Sequence, residues 1–115
     1  MIERYTLPEA GQIWTDQAKY EAWLKVELAA CRAMVDHKIM PADADRRLVK
    51  KAKVDVAKIL ANEAVVKHDI IAFTMAIEEL VGEDAQYFHY GLTSSDVVDT
   101  SFALQLKEAG ELILV

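Results

Sequence analysis

Apolar residues recur at helical spacing along most of the chain. The longest such segment predicts a helix over Asp16–His37, with one apolar face that contains Tyr20, Trp23, Leu24, Leu28, Cys31, Met34 and Val35. Shorter apolar segments predict further helices over Ala42–Lys53, Asp55–Val65 and Ile70–Val81. A last helix is predicted to begin near Ser94, and its apolar pattern continues to Val115. No segment alternates convincingly with the period of a strand, so the pattern predicts an all-α domain.

Residues typical of helix ends occur at several predicted boundaries. Thr15 suits the N-cap of the first helix, and Pro41 suits the start of the second. Asp69 is the expected N-cap of the fourth helix, and Gly82 follows it as a terminating glycine. These positions support the helix boundaries that periodicity predicts.

The first 15 residues lack a helical pattern and predict an extended arm with a short turn near residues 8–11. Arg4 and Tyr5 lie in this arm, where a role in the core is least expected. Terminal arms are often loose, so an exposed arginine on a frayed end is one interpretation. The alternative is an arm that lies across a pocket, with Arg4 on an anion and Tyr5 against a ring.

The segment 88–96 combines a histidine, a glycine and three hydroxyls ahead of the last helix. Thr93, Ser94 and Ser95 all suit a helix N-cap, and the free N–H groups of a first helical turn favour anions. Gly91 allows close approach of the backbone to a ligand, and His89 can donate to an anion or carry a proton. An ordinary capped helix after a loop explains the same residues, so both interpretations stay open.

Lys67, His68 and Asp69 interrupt the apolar pattern between the third and fourth predicted helices. One interpretation is a polar junction exposed to solvent. The other is a second cluster that faces an anion, with His68 as a hydrogen-bond donor or acid.

Composition limits the class of protein. The chain has 115 residues, 53% of them hydrophobic, which is enough for one modest domain with a core. A net charge of −6 disfavours a nucleic-acid-binding surface, and no apolar run is long enough to span a bilayer. The single cysteine, Cys31, fits a reducing cytoplasm and is interpreted as a small buried hydrophobe.

Four segments, residues 2–5, 13–16, 67–73 and 88–100, occur in the order and spacing of one enzyme family. In these segments the chain resembles the adenylosuccinate lyases of the aspartase/fumarase superfamily. The resemblance implies a small helical N-terminal domain over residues 1–111, with 112–115 as the first residues of a central helical bundle. Because the last helix is still apolar at its final residue, we expect a piece of a longer protein.

The resemblance also implies an activity. Members of the family cleave adenylosuccinate to AMP and fumarate by β-elimination, and cleave the succinyl-carboxamide ribotide of purine biosynthesis in the same way. They need no metal or organic cofactor. The implied protein is a cytoplasmic homotetramer that binds small-molecule substrates, and no nucleic acid or membrane.

On the same resemblance, the expected substrate-binding residues are Arg4, Tyr5, Lys67, His68, Asp69, His89, Thr93 and Ser94. His68 is also the expected catalytic residue, His89 would help to bind the phosphate, and Thr93 would hold a succinyl carboxylate with its neighbour. Lys67 stands where many relatives carry arginine, and lysine lacks the bidentate fork. The family's catalytic serine and its usual acid histidine lie farther along the chain, so these residues alone are expected to be inactive.

The sequence alone also allows two other functions. A carboxymuconate-cycloisomerase-like protein shares a similar segment, but such proteins usually have glutamine where this chain has Ser95, and they lack the Arg4–Tyr5 arm. A non-catalytic helical module could instead bind a partner through the face that contains Trp23 and Leu28.

Overall fold

The computed structural model describes residues 2–114, and within them the secondary structure is entirely helical. The α-helices are α1 (Pro8–Gly11), α2 (Asp16–Asp36), α3 (Ala42–Lys51), α4 (Val56–Val66), α5 (Asp69–Val81) and α6 (Ser94–Leu114). Three 3-10 segments cover Glu3–Tyr5, Gln12–Trp14 and Gly82–Tyr87. The all-α prediction is confirmed. None of the helices in this range combines the length and the apolar composition needed to cross a membrane.

Most helix boundaries lie within two residues of their predicted positions. Helix α3 ends at Lys51 because the next residue, Ala52, has an extended backbone with ψ of 125°. Asp55 lies outside α4 as its N-cap, and its side chain accepts a hydrogen bond from the Lys58 N–H at 3.1 Å. Thr15 caps α2 as predicted, and Gly82 terminates α5 with φ of 66°.

The prediction that Asp69 is the N-cap of α5 is wrong. His68 takes that position, and its Nδ1 accepts a hydrogen bond from the Ile71 N–H at 3.2 Å. Asp69 is the first helical residue, and its Oδ1 accepts from the Ile70 N–H at 2.7 Å. The imidazole of His68 therefore caps the helix, a role for which sequence preference favours the carboxylate of Asp69.

Residues 2–15 do not form the predicted extended arm. They fold into two 3-10 turns around α1, which begins at Pro8. The chain passes close to itself there, because a Cβ at Gly11 would lie 2.9 Å from the Cγ2 of Thr6. The Thr6 hydroxyl also donates to the Ile2 carbonyl at 2.8 Å. Farther along, the buried Ile13 accepts from Gln105 Nε2 at 2.8 Å, which attaches the arm to α6. Met1 lies outside the described residues.

The core forms where α2, α3, α4 and α5 meet. Trp23 contacts both Tyr20 and Phe73 edge to face, with ring centroids 5.1 and 5.5 Å apart. Tyr20, Trp23, Leu24 and Cys31 are buried on the predicted face of α2, whereas Leu28, Met34 and Val35 are only partly buried. The apolar face of α2 is therefore buried most completely over its first half and at Cys31.

Helix α6 packs along α2 through a narrow face. Its buried residues are Val97, Ser101 and Gln105, while Phe102 and Leu106 are about half exposed. The loop that leads into α6 carries His89 and thereby sets that histidine against α2.

Candidate functional site

The predicted site residues fall into four groups, all at the ends of helices or in the segments that join them. They are the arm pair Arg4 and Tyr5, the junction Lys67, His68 and Asp69, the loop residue His89, and the α6 start Thr93 and Ser94. Among residues 2–114, no hydrogen bond or ion pair joins one group to another. Each group is therefore positioned by its own contacts with the rest of the chain.

Arg4 and Tyr5 share the 3-10 turn Glu3–Tyr5, and both are exposed. The guanidinium carbon of Arg4 lies 4.8 Å from the centroid of the Tyr5 ring. This cation–π contact leaves the planar edge of the guanidinium, with its N–H donors, available to other groups.

Lys67 gives the junction between α4 and α5 its shape. It has the left-handed conformation, with φ of 57° and ψ of 31°, and its N–H donates to the Glu63 carbonyl. The next residue, His68, is extended and begins α5. Because Nδ1 of His68 accepts the hydrogen bond from Ile71, the proton of the neutral ring is on Nε2.

His68 also lies near Asp69, with 3.8 Å between Nδ1 and Oδ1. An ion pair there would need a proton on Nδ1, which the hydrogen bond from the helix excludes. We therefore assign the Nδ1 to the helix cap. The Nε2–H remains free for a ligand, since the side chain is 43% exposed.

His89 forms the most buried polar contact among the predicted residues. Its Nδ1 lies 2.5 Å from Oε1 of Glu27, a residue of α2 with 0% side-chain exposure. Burial raises the pKa of Glu27, and the hydrogen bond from His89 opposes that rise. The backbone of His89 is left-handed, with φ of 62°, which turns the side chain back toward α2.

Sequence reasoning missed Glu27. A signal was present, because position 27 falls on the same helical face as Tyr20, Leu24 and Cys31. A charged residue on an otherwise apolar face indicates a buried carboxylate that needs a partner.

At the start of α6, the chain places its own carboxylate on the predicted anion site. Oδ2 of Asp96 accepts from the Thr93 N–H at 2.8 Å and from the Thr93 hydroxyl at 3.2 Å. This is half of a capping box, in which the third helical residue caps back to the N-cap residue. The expectation that the Thr93 hydroxyl accepts from the helix is therefore wrong. Ser94 is the first residue of the helix.

A groove lies elsewhere, between α2 and α6, with a volume of about 450 Å³. Its charged lining includes Glu21, Lys25, Lys107 and Glu108, and none of the predicted site residues. Lys67 lines a shallower depression beside Glu63. No group of three or more His, Cys, Asp or Glu side chains within residues 2–114 could hold a metal ion.

Comparison with known proteins supports one family. The adenylosuccinate lyase of Synechocystis sp. is 51% identical over 114 residues, which is 99% of this chain and 26% of that protein. The adenylosuccinate lyases of Bacillus subtilis and Aquifex aeolicus are 43% and 49% identical, again over 99% of this chain. The chain resembles adenylosuccinate lyases along almost its whole length. It spans about a quarter of the length of these relatives.

The fold has a solved counterpart in a fumarate lyase from Mesorhizobium sp. BNC1. The two structures align with a TM-score of 0.82 and 22% identity, over 90% of this chain and 25% of the other. At that identity the match concerns the fold alone. No model of a known protein family matches the chain.

Proposed function

We propose that this chain is the N-terminal part of an adenylosuccinate lyase. The complete protein would cleave adenylosuccinate to AMP and fumarate, and the succinyl-carboxamide ribotide to its carboxamide and fumarate. The observation that carries the proposal is the 43–51% identity to adenylosuccinate lyases over 99% of the chain. Residues 1–111 would form its N-terminal helical domain, and residues 112–115 would begin the central bundle.

β-Elimination removes a proton from the carbon beside a carboxylate and protonates the leaving nitrogen. We assign His68 a catalytic role in that chemistry. Two observations support the assignment: the helix cap fixes its ring through Nδ1, and its Nε2 stays accessible. Lys67 and Asp69, which flank it, would contact the substrate as well.

The other predicted residues would bind the anionic parts of the substrate. His89 and Ser94 offer hydrogen-bond donors near the start of α6, and Thr93 would join them where a substrate anion displaces Asp96 from its N–H and hydroxyl. Arg4 and Tyr5 would contribute from the arm. Since no hydrogen bond or ion pair joins these groups within residues 2–114, we propose that the rest of the protein and its partner subunits complete the site in a homotetramer.

The remaining properties follow the same proposal. The substrate is a small molecule, the chemistry uses no metal or organic cofactor, and the protein is cytoplasmic. The net charge of −6 supports a protein that does not bind nucleic acid.

The test uses the complete protein that contains this chain, purified from a host without its own adenylosuccinate lyase. Fumarate and AMP release from adenylosuccinate is followed by chromatography, with the 115-residue chain as a parallel sample. We expect turnover by the complete protein and none by the chain alone, which lacks the family's catalytic serine. Failure of the complete protein on both purine substrates would refute the proposal, and turnover of a carboxymuconate would favour the cycloisomerase alternative.

A further inference from the structure

Glu27 is a carboxylate enclosed in the domain. Its side chain has 0% exposure, and one of its oxygens, Oε2, has no hydrogen-bond partner. A buried carboxylate is costly unless it is paired. Among residues 2–114, its one side-chain hydrogen bond is with His89, which lies 62 positions along the chain. The other buried residues on this face of α2, Tyr20, Leu24 and Cys31, are neutral.

Its packed neighbour, its backbone conformation and its side-chain contact together fix the position of His89. Its neighbour Phe88 is buried against Phe73, with ring centroids 6.1 Å apart. Its backbone has φ of 62°, and its carbonyl accepts from the Leu92 N–H at 3.4 Å. Its Nδ1 contacts the Glu27 carboxylate, and the side chain is 23% exposed. Nε2 is then the ring nitrogen left for a ligand, and no residue in 2–114 forms a hydrogen bond with it.

We propose that Glu27 is a positioning residue for substrate binding: its carboxylate accepts the Nδ1–H of His89, stabilises the doubly protonated ring, and orients the Nε2–H so that it donates to an anionic group of the substrate. This inference rests on the proposed function for the identity of the substrate. Both ring nitrogens of an imidazolium carry a proton, so a carboxylate that accepts the Nδ1–H leaves the Nε2–H as a charge-assisted donor to an anion. Glu27 itself touches no substrate.

The charged and titratable groups around the pair fit this arrangement. Cys31 lies one turn farther along α2, and burial raises its pKa to about 12, so it stays a neutral thiol. Asp45 of α3 is the next carboxylate in this region, and Arg32 lies 3.7 Å from its Oδ2. His89 is therefore the titratable partner in contact with Glu27 among the described residues.

Substitution in the complete enzyme tests the role of Glu27. Glu27→Gln keeps the volume of the side chain and removes its charge, and His89→Gln removes the ring. Each should raise KM for adenylosuccinate by about tenfold, the typical value of one charge-assisted hydrogen bond, with kcat largely retained. The double variant should be no worse than His89→Gln alone, because Glu27 acts only through His89.

Asp45→Asn is the matched control, since it also removes a buried carboxylate that has an unpartnered oxygen. It should leave KM unchanged. An unchanged KM in Glu27→Gln, or additive effects in the double variant, would overturn the inference.

Proton NMR of the 115-residue chain and of the complete protein gives a readout that does not depend on activity. The Nδ1–H that His89 donates to Glu27 should resonate far downfield in the unmodified protein and in Asp45→Asn, and should vanish in His89→Gln. If Glu27→Gln does not fold, Glu27→Asp, which shortens the side chain and keeps its charge, replaces it. Absence of the resonance from the unmodified protein overturns the inference, whereas its presence without lyase activity would refute only the proposed function.

Discussion

Arg47 donates two parallel hydrogen bonds to Asp84. Nε lies 2.8 Å from Oδ2, and Nη2 lies 2.9 Å from Oδ1. The pair connects α3 to the 3-10 segment Gly82–Tyr87, 37 positions later in the chain. The hydrogen bonds from Arg47 lower the pKa of Asp84 below its ordinary value of 3.8.

We expect Asp84→Asn to make the stability of the domain less sensitive to acid. Because the pKa of Asp84 is lower in the folded state than in the unfolded state, its contribution is present above pH 3.8 and is lost as pH falls through the folded value. The variant should melt below the unmodified protein at about pH 7, and the difference should shrink toward about pH 2. Thermal unfolding followed by circular dichroism measures both.

The control for this prediction is Glu79→Gln. Glu79 pairs with Lys58 at 3.2 Å, but both side chains are largely exposed, so the loss should be small at every pH. Melting curves of Asp84→Asn that stay parallel to those of the unmodified protein across the range would contradict the prediction.

Substitution of His68 can separate its chemical role from its role as a helix cap. His68→Ala removes both, and should cost about 1 kcal/mol of stability together with about a hundredfold or more in kcat. His68→Asn restores a good N-cap residue, so stability should recover while activity stays low. Steady-state kinetics and thermal melts of the complete protein give the two quantities. His37→Ala is the control, because that histidine is exposed at the end of α2.

If His68→Asn restored turnover together with stability, His68 would be a structural residue only. Equal losses of turnover in the His37 and His68 variants would likewise contradict a specific catalytic role.

The start of α6 should bind anions weakly until its own carboxylate is removed. Asp96 already occupies the Thr93 N–H and hydroxyl, so an added anion meets a like charge. Phosphate titrated into the labelled 115-residue chain should shift the amides of residues 93–97 with at best millimolar affinity, roughly 4 kcal/mol. Asp96→Asn should bind phosphate more tightly.

Asp99→Asn changes the net charge equally, one turn farther along the helix, and should leave the affinity unchanged. Shifts confined to the basic segment 46–53 would show that the anion site lies on another helix.

Cys31 should resist alkylation in the folded protein. The side chain is 1% exposed, and burial raises the pKa of the thiol to about 12, so the reactive thiolate is scarce at neutral pH. Iodoacetamide followed by mass spectrometry should modify the chain only after urea is added. Rapid modification without urea, at a rate similar to that of the unfolded chain, would contradict this burial.

The features that the sequence predicted well depend on neighbours along the chain. The Thr15 cap uses a hydrogen bond to Ala18, three residues away, and Gly82 accommodates the left-handed turn after α5. The apolar face of α2 follows from helical spacing alone. The positions of residues 67–69 and 93–94 at helix boundaries were predictable for the same reason.

The remaining features depend on choices that periodicity does not determine. Glu27 could be placed on the buried face, but nothing in its surroundings along the chain indicates that a loop 62 positions later supplies its partner. At the start of α5, the side chains of His68 and Asp69 can both accept a hydrogen bond from the helix. A shift of the helix start by one residue decides which of them is the N-cap. The arm was mispredicted because its stability comes from contacts such as that between Ile13 and Gln105.

Gly11 determines how closely the arm folds back on itself. A methyl group added there would meet Cγ2 of Thr6 at 2.9 Å, and Thr6 could turn away only by giving up its hydroxyl contact with Ile2. An alanine at position 11 would therefore push Thr6 and residue 11 apart, at a point in the arm seven residues from Arg4. The position of the Arg4 guanidinium therefore depends on a residue that contributes only a hydrogen atom, on the far side of the turn.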